Sequence, residues 1–427
     1  MSTKLRLIIL SFLQFFIWGS WLITIGAYWF QTKQWSGAEF GAIFSTMGIA
    51  AIFMPSIMGI VADKWVNAEK LFGILHLLGG IVLFTIPLVD TPGTMFWVML
   101  LNMMFYMPTL ALSIAVSYSV LKNKGGDVVK DYPPIRVWGT IGFIVAMWTV
   151  SLLGLEKSAS QFYVAAGAAI LLGIYSFTLP KCPPPSKNAP ARSLVDALGL
   201  KSFALLRDGK MATFFFFALL LGAALQLTNA YGDTFLHDFD KTPAYQDTLA
   251  VKYPAIIMSI SQISETLFIL AIPFFLRRFG IKQVMFFSMV AWVLRFGLFA
   301  YGNPGSGLWM IILSCIVYGM AFDFFNISGS LFVETQTDSS IRASAQGLFM
   351  MMTNGFGAVL GSSLSGIIIQ KYFTLADGTK DWHNIWLTFA LYSLGIAVLF
   401  VILFKHKHDP SAIRNTHPEP LLSVEQV

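Results

Sequence analysis

An all-α membrane protein with twelve transmembrane helices in two six-helix halves is the fold class this sequence predicts. Three observations predict it. The 427 residues are 56% hydrophobic and only 12% charged, with a mean hydropathy of +0.69, whereas soluble domains carry about 25% charged residues. Apolar runs of about 20 residues, long enough to cross roughly 30 Å of hydrocarbon, recur along the whole chain. One proline-bearing polar break, at 181–210, divides these runs six and six.

The runs lie near 5–28, 39–62, 70–89, 95–120, 134–155, 161–179, 211–232, 252–276, 282–302, 307–333, 343–370 and 384–404. The first follows Lys4 and Arg6 as the core of a signal peptide would, but it continues to Phe30 without an Ala-x-Ala-like site. It is therefore read as a retained span. The second and eighth runs carry Pro55 and Pro273, and each is followed by a short charged loop, GIVADKWVNAEK at 59–70 and FFLRRFGIKQV at 274–284. Parallel repeats of six helices are a recognised plan for secondary transporters, with the substrate site near the midplane between the halves. The break KCPPPSKNAPARSLVDALGLKSFALLRDGK holds six basic residues and no spanning run. The expected organisation is a first bundle at 1–180, a cytoplasmic linker at 181–210, a second bundle at 211–405 and a cytoplasmic tail at 406–427.

The net charge of +6 is spread over connecting loops, with no basic patch interleaved with aromatics, so a nucleic-acid partner is not expected. Topology accounts for the charge better. With the amino terminus in the cytoplasm, only Lys33, Lys157, Lys241, Lys252, Lys371 and Lys380 fall on the opposite face. This positive-inside bias places both termini in the cytoplasm. Cys182 and Cys315 are far apart, one in a loop and one in a span, which suggests neither a disulfide framework nor a metal site.

Ionisable residues inside spans are costly, tend to face cavities and are functional candidates by default. Asp323, set among Phe322, Phe324 and Phe325, can carry a proton, because burial disfavours the charged form of a carboxyl. Its plainer reading is a neutral acid hydrogen-bonded inside the bundle. Glu265 shares a helix face with Gln262, one turn earlier, where a polar patch or a helix-associating pair could form. Arg136, Thr140 and Phe143 lay a cation, a hydroxyl and an aromatic along one stripe, and Pro133 and Pro134 before them suit a helix start. Gln226 and Asn229 add two amides, three residues apart, in the seventh run. Tyr318 and Phe322 stand four apart beside Asp323 and offer a rigid aromatic surface. His76 and Arg295 are read as structural and peripheral, and Gly357-x-x-x-Gly361 as a close helix contact.

No His-Glu-x-x-His, Gly-x-Ser-x-Gly or phosphate-binding loop is present, so an enzyme is not expected. No loop is long enough to fold into an appended sensor domain. Transport remains.

Gly59-x-x-x-Asp63-Lys64 looks like the loop after the second helix of major facilitator transporters, although the glycine and basic pair that usually follow are not in place. SFLQFFIWGSWL at 11–22, MGIVADKW at 58–65, PPIRVWGTIGF at 133–143, SISQISETLFIL at 259–270, YGMAFDFFNISGS at 318–330 and IRASAQG at 341–347 are more specific. Together they resemble the bacterial nucleoside:proton symporter family, and the resemblance runs from the first run to the last. It implies a major facilitator fold in the bacterial inner membrane, importing a nucleoside with a proton and needing no cofactor. Through the matching motifs it implies substrate contacts from Arg136, Thr140, Phe143, Gln226, Asn229, Gln262, Glu265, Tyr318 and Phe322 and proton coupling at Asp323; Asp63, after the second helix at the cytoplasmic face, can accept bonds that hold one conformation closed and is expected to act in gating. Amides and a carboxylate can bond ribose hydroxyls and base edges, and aromatic faces can stack on a base. A monomer is expected. The alternative is a permease specialised for xanthosine, or one for another small polar solute such as a sugar.

Overall fold

The computed structural model describes residues 2–184, 200–338 and 341–406. Most of the predicted linker core, 185–199, and the tail from 407 lie outside the described residues.

Among the described residues, nine helices are long and apolar enough to cross a membrane. Pro254–Tyr301 is 48 residues long and supplies two crossings. Its arms fold apart at Gly280, where φ is 78° and ψ 170°, a backbone region in which L side chains are strained and glycine is not. The sequence reading, which separates an eighth from a ninth run by hydrophobicity, thus meets a glycine hinge where it expects a loop. Thr3–Gly19 and Ser160–Ser176 are shorter, at 17 residues each. The first is prolonged by a short helix at Ile25–Ala27 and a π-helical turn at Tyr28–Thr32. Counted this way the described residues hold twelve spans, as a major facilitator architecture does.

In order, the spans are Thr3–Gly19 with its extension, Gly37–Lys64, Ala68–Thr85, Pro92–Asn123, Val128–Leu152, Ser160–Ser176, Gly209–Asp238, the two arms of Pro254–Tyr301, Leu308–Gln336, the eleventh, and Trp382–Leu403. The eleventh is broken: Arg342–Met350 and Ala358–Ile368 are joined by a π-helical stretch, Met351–Gly357. Side chains such as Ile174, Leu267, Leu270, Leu391 and Val401 are exposed, as lipid-facing residues should be, since lipid tails replace water as their solvent.

Two boundaries differ from the sequence reading. The fifth span begins at Val128, so Pro133 and Pro134 lie inside it rather than at its start. Asp131, in its first turn, accepts at Oδ2 from the amide of Asp127 just before it at 3.1 Å, while Lys4 pairs with Asp131 at 2.7 Å. The seventh span runs to Asp238, past the predicted end near 232.

The halves meet through glycines. Gly41 of the second span leaves room only for the Ser362 carbonyl and Gly366, and Gly48 abuts Gly355 and Ala358. Gln31 donates to Asp238 at 3.0 Å, the Ala38 amide to Gln370 at 2.8 Å, and Trp148 to Ser259 at 2.8 Å. These links lie toward the face opposite the termini, here called the distal face.

Candidate functional site

The second half builds most of the candidate site around Leu308–Gln336, the tenth span. Gly319 makes the decisive approach: a Cβ there would lie 2.6–2.7 Å from the Ser264 and Glu265 backbone, closer than real side-chain contacts. The eighth and tenth spans therefore touch backbone to backbone, and Ser264 donates to the Ile316 carbonyl across the seam. This contact sets Glu265 beside the surface that Tyr318, Phe322 and Asp323 form. Tyr318 and Phe322 stack with ring centroids 5.9 Å apart and planes 5° from parallel, and Trp292 meets Tyr318 edge-on at 5.9 Å.

Asp323 is 4% exposed, and its Oδ2 has no hydrogen-bond partner. An unpaired buried carboxyl oxygen costs free energy unless something else answers it. The Oε1 atoms of Gln226 and Gln262 are likewise buried and unpaired. Arg136, on the fifth span of the first half, is near enough for its charge to act on both Glu265 and Asp323, and the charge of Glu265 acts on Asp323. Its guanidinium lies 4.1 Å from the Phe15 ring centroid, a cation–π contact that fixes its height on the span. Phe143 is buried, its backbone pressed against Gly19 of the first span. Thr140, one turn beyond Arg136, and Asn229, three residues beyond Gln226, are half-buried.

Asp63 is not part of this group. It is exposed at the end of the second span, on the face of the termini. Its neighbour Glu69 is buried and accepts from the Cys182 amide at 2.7 Å and from Asn67 at 3.1 Å. Sequence reasoning passed over Glu69 because a charge in a loop next to Lys70 reads as solvated.

A pocket of about 270 Å³, including its open mouth, lies beside Phe322 and is lined by Leu221, Leu225, Trp292, Asn326 and Asn354 among others. Of the residues chosen from sequence, only Phe322 lines it. Asn326 stands four residues after Phe322 and shares its helix face, a signal that was available. Asn354 was not accessible in this way, because the π-helical stretch shifts the register on which face arguments rest.

Arg295 is neither peripheral nor solvated. It is 1% exposed and donates to Thr228 at 2.9 and 2.6 Å, to Ser261 at 3.3 Å and to the Ser314 carbonyl at 2.8 Å. Its guanidinium lies 4.6 Å from the Tyr318 ring centroid. It thus ties four spans together beneath the aromatic surface. His76 is buried in the first half, 2.7 Å from Gln14, which also donates to Thr109 at 2.9 Å.

Residues 1–409 match the profile of a family described as nucleoside H+ symporter. The chain is 57% identical over 416 residues to a xanthosine permease of Escherichia coli K12, covering 97% of this chain and 99% of the relative. It is 54% identical over 409 residues to the nucleoside permease NupG of the same organism, covering 96% and 97%. Crystal structures of nucleoside transporter NupG and of its D323A mutant superpose with TM-scores of 0.89 and 0.92 at 54% identity, each covering 95% of this chain and all of the other. A tetrameric peptide-transporter structure, PepTSo2, superposes at 0.69 with 12% identity and 97% coverage, which speaks for the fold alone.

Proposed function

The chain belongs to the nucleoside H+ symporter family, and from that premise we propose how its residues carry a nucleoside and a proton across the membrane together. It is a multi-pass transporter and not an enzyme. Arg136, Thr140 and Phe143 from the first half, with Gln226, Asn229, Gln262, Glu265, Tyr318 and Phe322 from the second, hold the nucleoside, and Asp323 carries the proton. The observation that supports this reading best is the buried Asp323 with one oxygen unpaired, set beside two stacked rings and within reach of the charges of Glu265 and Arg136. An acid in that setting has a reason to exchange a proton, and Arg136 and Glu265 give it opposite charges to sense when substrate arrives.

The unpaired amide oxygens of Gln226 and Gln262 accept from ribose hydroxyls, and the Tyr318–Phe322 face stacks on the base. The bundles 1–180 and 211–405 rock about this site, with 181–210 as tether and 406–427 as tail, and the distal-face glycine contacts break when the transporter opens outward. The protein works as a monomer in the bacterial inner membrane with both termini cytoplasmic, so the distal face is periplasmic. Asp63 acts at the cytoplasmic gate.

A narrower reading, a xanthosine permease, is favoured by one observation, the 57% identity to such a relative. One experiment separates these readings from each other and from sugar transport. Purified protein in proteoliposomes with an imposed proton gradient is offered labelled uridine, adenosine, xanthosine and sugars in turn. Uptake of uridine and adenosine supports the broad reading, uptake of xanthosine alone supports the narrow one, and uptake of sugars alone overturns both.

A further inference from the structure

A second group of buried ionisable side chains lies at the distal face, away from the candidate substrate site. Asp233 and His237 sit one turn apart on the distal end of the seventh span, which puts them on one helix face. Glu156 comes from the first half, in the turn between the fifth and sixth spans. His237 Nε2 lies 2.8 Å from Glu156 Oε2 and 3.5 Å from Asp233 Oδ2. Glu156 and His237 are 4% exposed and Asp233 not at all. We propose that Glu156, Asp233 and His237 form a binding site for a divalent transition-metal cation of the zinc class, completed when the two halves close at the distal face.

Four observations carry this. One donor atom from each of the three side chains lies within 4.8 Å of the others, so a single ion can reach all of them. Neither oxygen of Asp233 makes a hydrogen bond, and the close partner of His237 Nε2 is Glu156 Oε2 at 2.8 Å. The donors converge on one point and leave the buried Asp233 carboxyl unanswered. Two buried carboxylates beside an imidazole are an excess of negative charge of the kind that a cation answers, since buried charges are paired or coordinate metals. The donor set itself discriminates: one imidazole and two carboxylates leave a fourth position open in the manner of zinc sites, whereas calcium prefers six to eight oxygens and magnesium keeps a near-octahedral shell of oxygens and waters.

The surroundings hold Glu156 in place as outer-shell groups do around metal ligands. Its Oε1 accepts from the Ala255 amide at 3.1 Å, at the start of the eighth span. Its carbonyl accepts from Gln161 at 3.1 Å, and Gln161 in turn accepts from Thr24 at 2.7 Å. The ammonium next in sequence to Glu156, Lys157, is engaged by Asp240 at 3.2 Å. Because Glu156 belongs to one half and Asp233 with His237 to the other, opening the distal face separates the ligands. A cation enters on the Asp233–His237 pair while that face is open and is capped by Glu156 when it closes. Bound metal therefore favours the distal-closed state and slows the cycle, because a ligand shifts a conformational equilibrium toward the state that binds it better.

The test uses the full chain, stripped with a chelator and titrated with zinc chloride by calorimetry, with magnesium chloride as control. In parallel, labelled uridine uptake into proteoliposomes is measured with zinc in the medium and after chelation. One zinc per chain is expected, with no magnesium binding, and uptake slowed by about fivefold or more and restored by chelator. His237→Gln, and separately Glu156→Gln should the first variant fold poorly, should bind zinc at least about tenfold more weakly, since even outer-shell changes cost 10–100-fold, and should transport at the same rate with or without it. Absence of zinc binding by the native chain overturns the proposal, as do unchanged affinity in both variants and zinc inhibition that persists in them. Calorimetry is independent of the substrate, so failure of the metal site and failure of the nucleoside reading are told apart.

Discussion

Asp323 and Arg295 are both ionisable, both inside spans of the second half and both nearly inaccessible at 4% and 1% exposure, yet their surroundings are opposite. Arg295 has hydrogen bonds to Thr228, Ser261 and Ser314 and a ring face on either side, Phe299 and Tyr318. Asp323 has an oxygen that nothing answers. A buried charge whose bonds are all met is a brace, because changing its state would break them. A buried acid with an unpaired oxygen can gain or lose a proton there without breaking a hydrogen bond. The same local rule marks both residues as unusual; only the partners distinguish a support from a working group.

That contrast is sharpest under Asp323→Asn, which mimics the neutral acid. An imposed difference of about one pH unit is worth about 1.4 kcal/mol per proton and supports up to about tenfold accumulation. In proteoliposomes the variant should fall to no accumulation while gradient-free exchange of labelled uridine survives. Gradient-dependent accumulation by the variant would remove Asp323 from the coupling role. For Arg295→Met the expected loss is of the fold rather than of coupling. Hydrogen bonds to a charged group contribute about 1.5–3 kcal/mol each, so a thermal unfolding scan should show a melting temperature lower by several degrees, and whatever protein remains should still couple protons to uptake. A variant that is stable but uncoupled would reverse the roles assigned to the two residues.

Substrate discrimination comes next in size. Free uracil or free ribose leaves buried polar groups of the site unmatched at about 1–3 kcal/mol each, so each should compete against labelled uridine about 5- to 150-fold more weakly than uridine itself. Uridine monophosphate should also compete poorly, because the proposed site holds two acids, Glu265 and Asp323, against one cation, Arg136. Equal competition by uracil would make stacking, and not the amides, the source of recognition. The smallest effect belongs to Asp63→Ala. Exposed charges contribute about 0.2–1 kcal/mol, so the uptake rate should change by about fivefold or less with equilibrium binding unaltered. Weakened binding at an unchanged rate would remove Asp63 from the gate.

Much of the candidate site is legible in the sequence because the membrane makes polarity conspicuous. Asp323, Glu265, Gln262 and Gln226 stand out from apolar runs, and helix spacing places them on faces. Asn326 obeys the same spacing rule. Asn354 and Trp292 do not declare themselves, the first because a π-helical stretch breaks the periodicity, the second because one tryptophan among many aromatics carries no label. Asp233 and His237 escaped because a hydrophobicity window ends the seventh span near 232, whereas the helix continues to Asp238.

From sequence alone one reads the apolar runs long enough to cross the membrane, the polar break between two sets of six, and the polar residues that spans would otherwise exclude, since each follows from the cost of placing a polar group in hydrocarbon. The tertiary structure alone decided which of those groups are satisfied. Arg295 meets Thr228, and Glu156 meets His237, across sequence separations that no local pattern spans, and it is the presence or absence of such a partner that divides a structural charge from one free to bind or to move a proton.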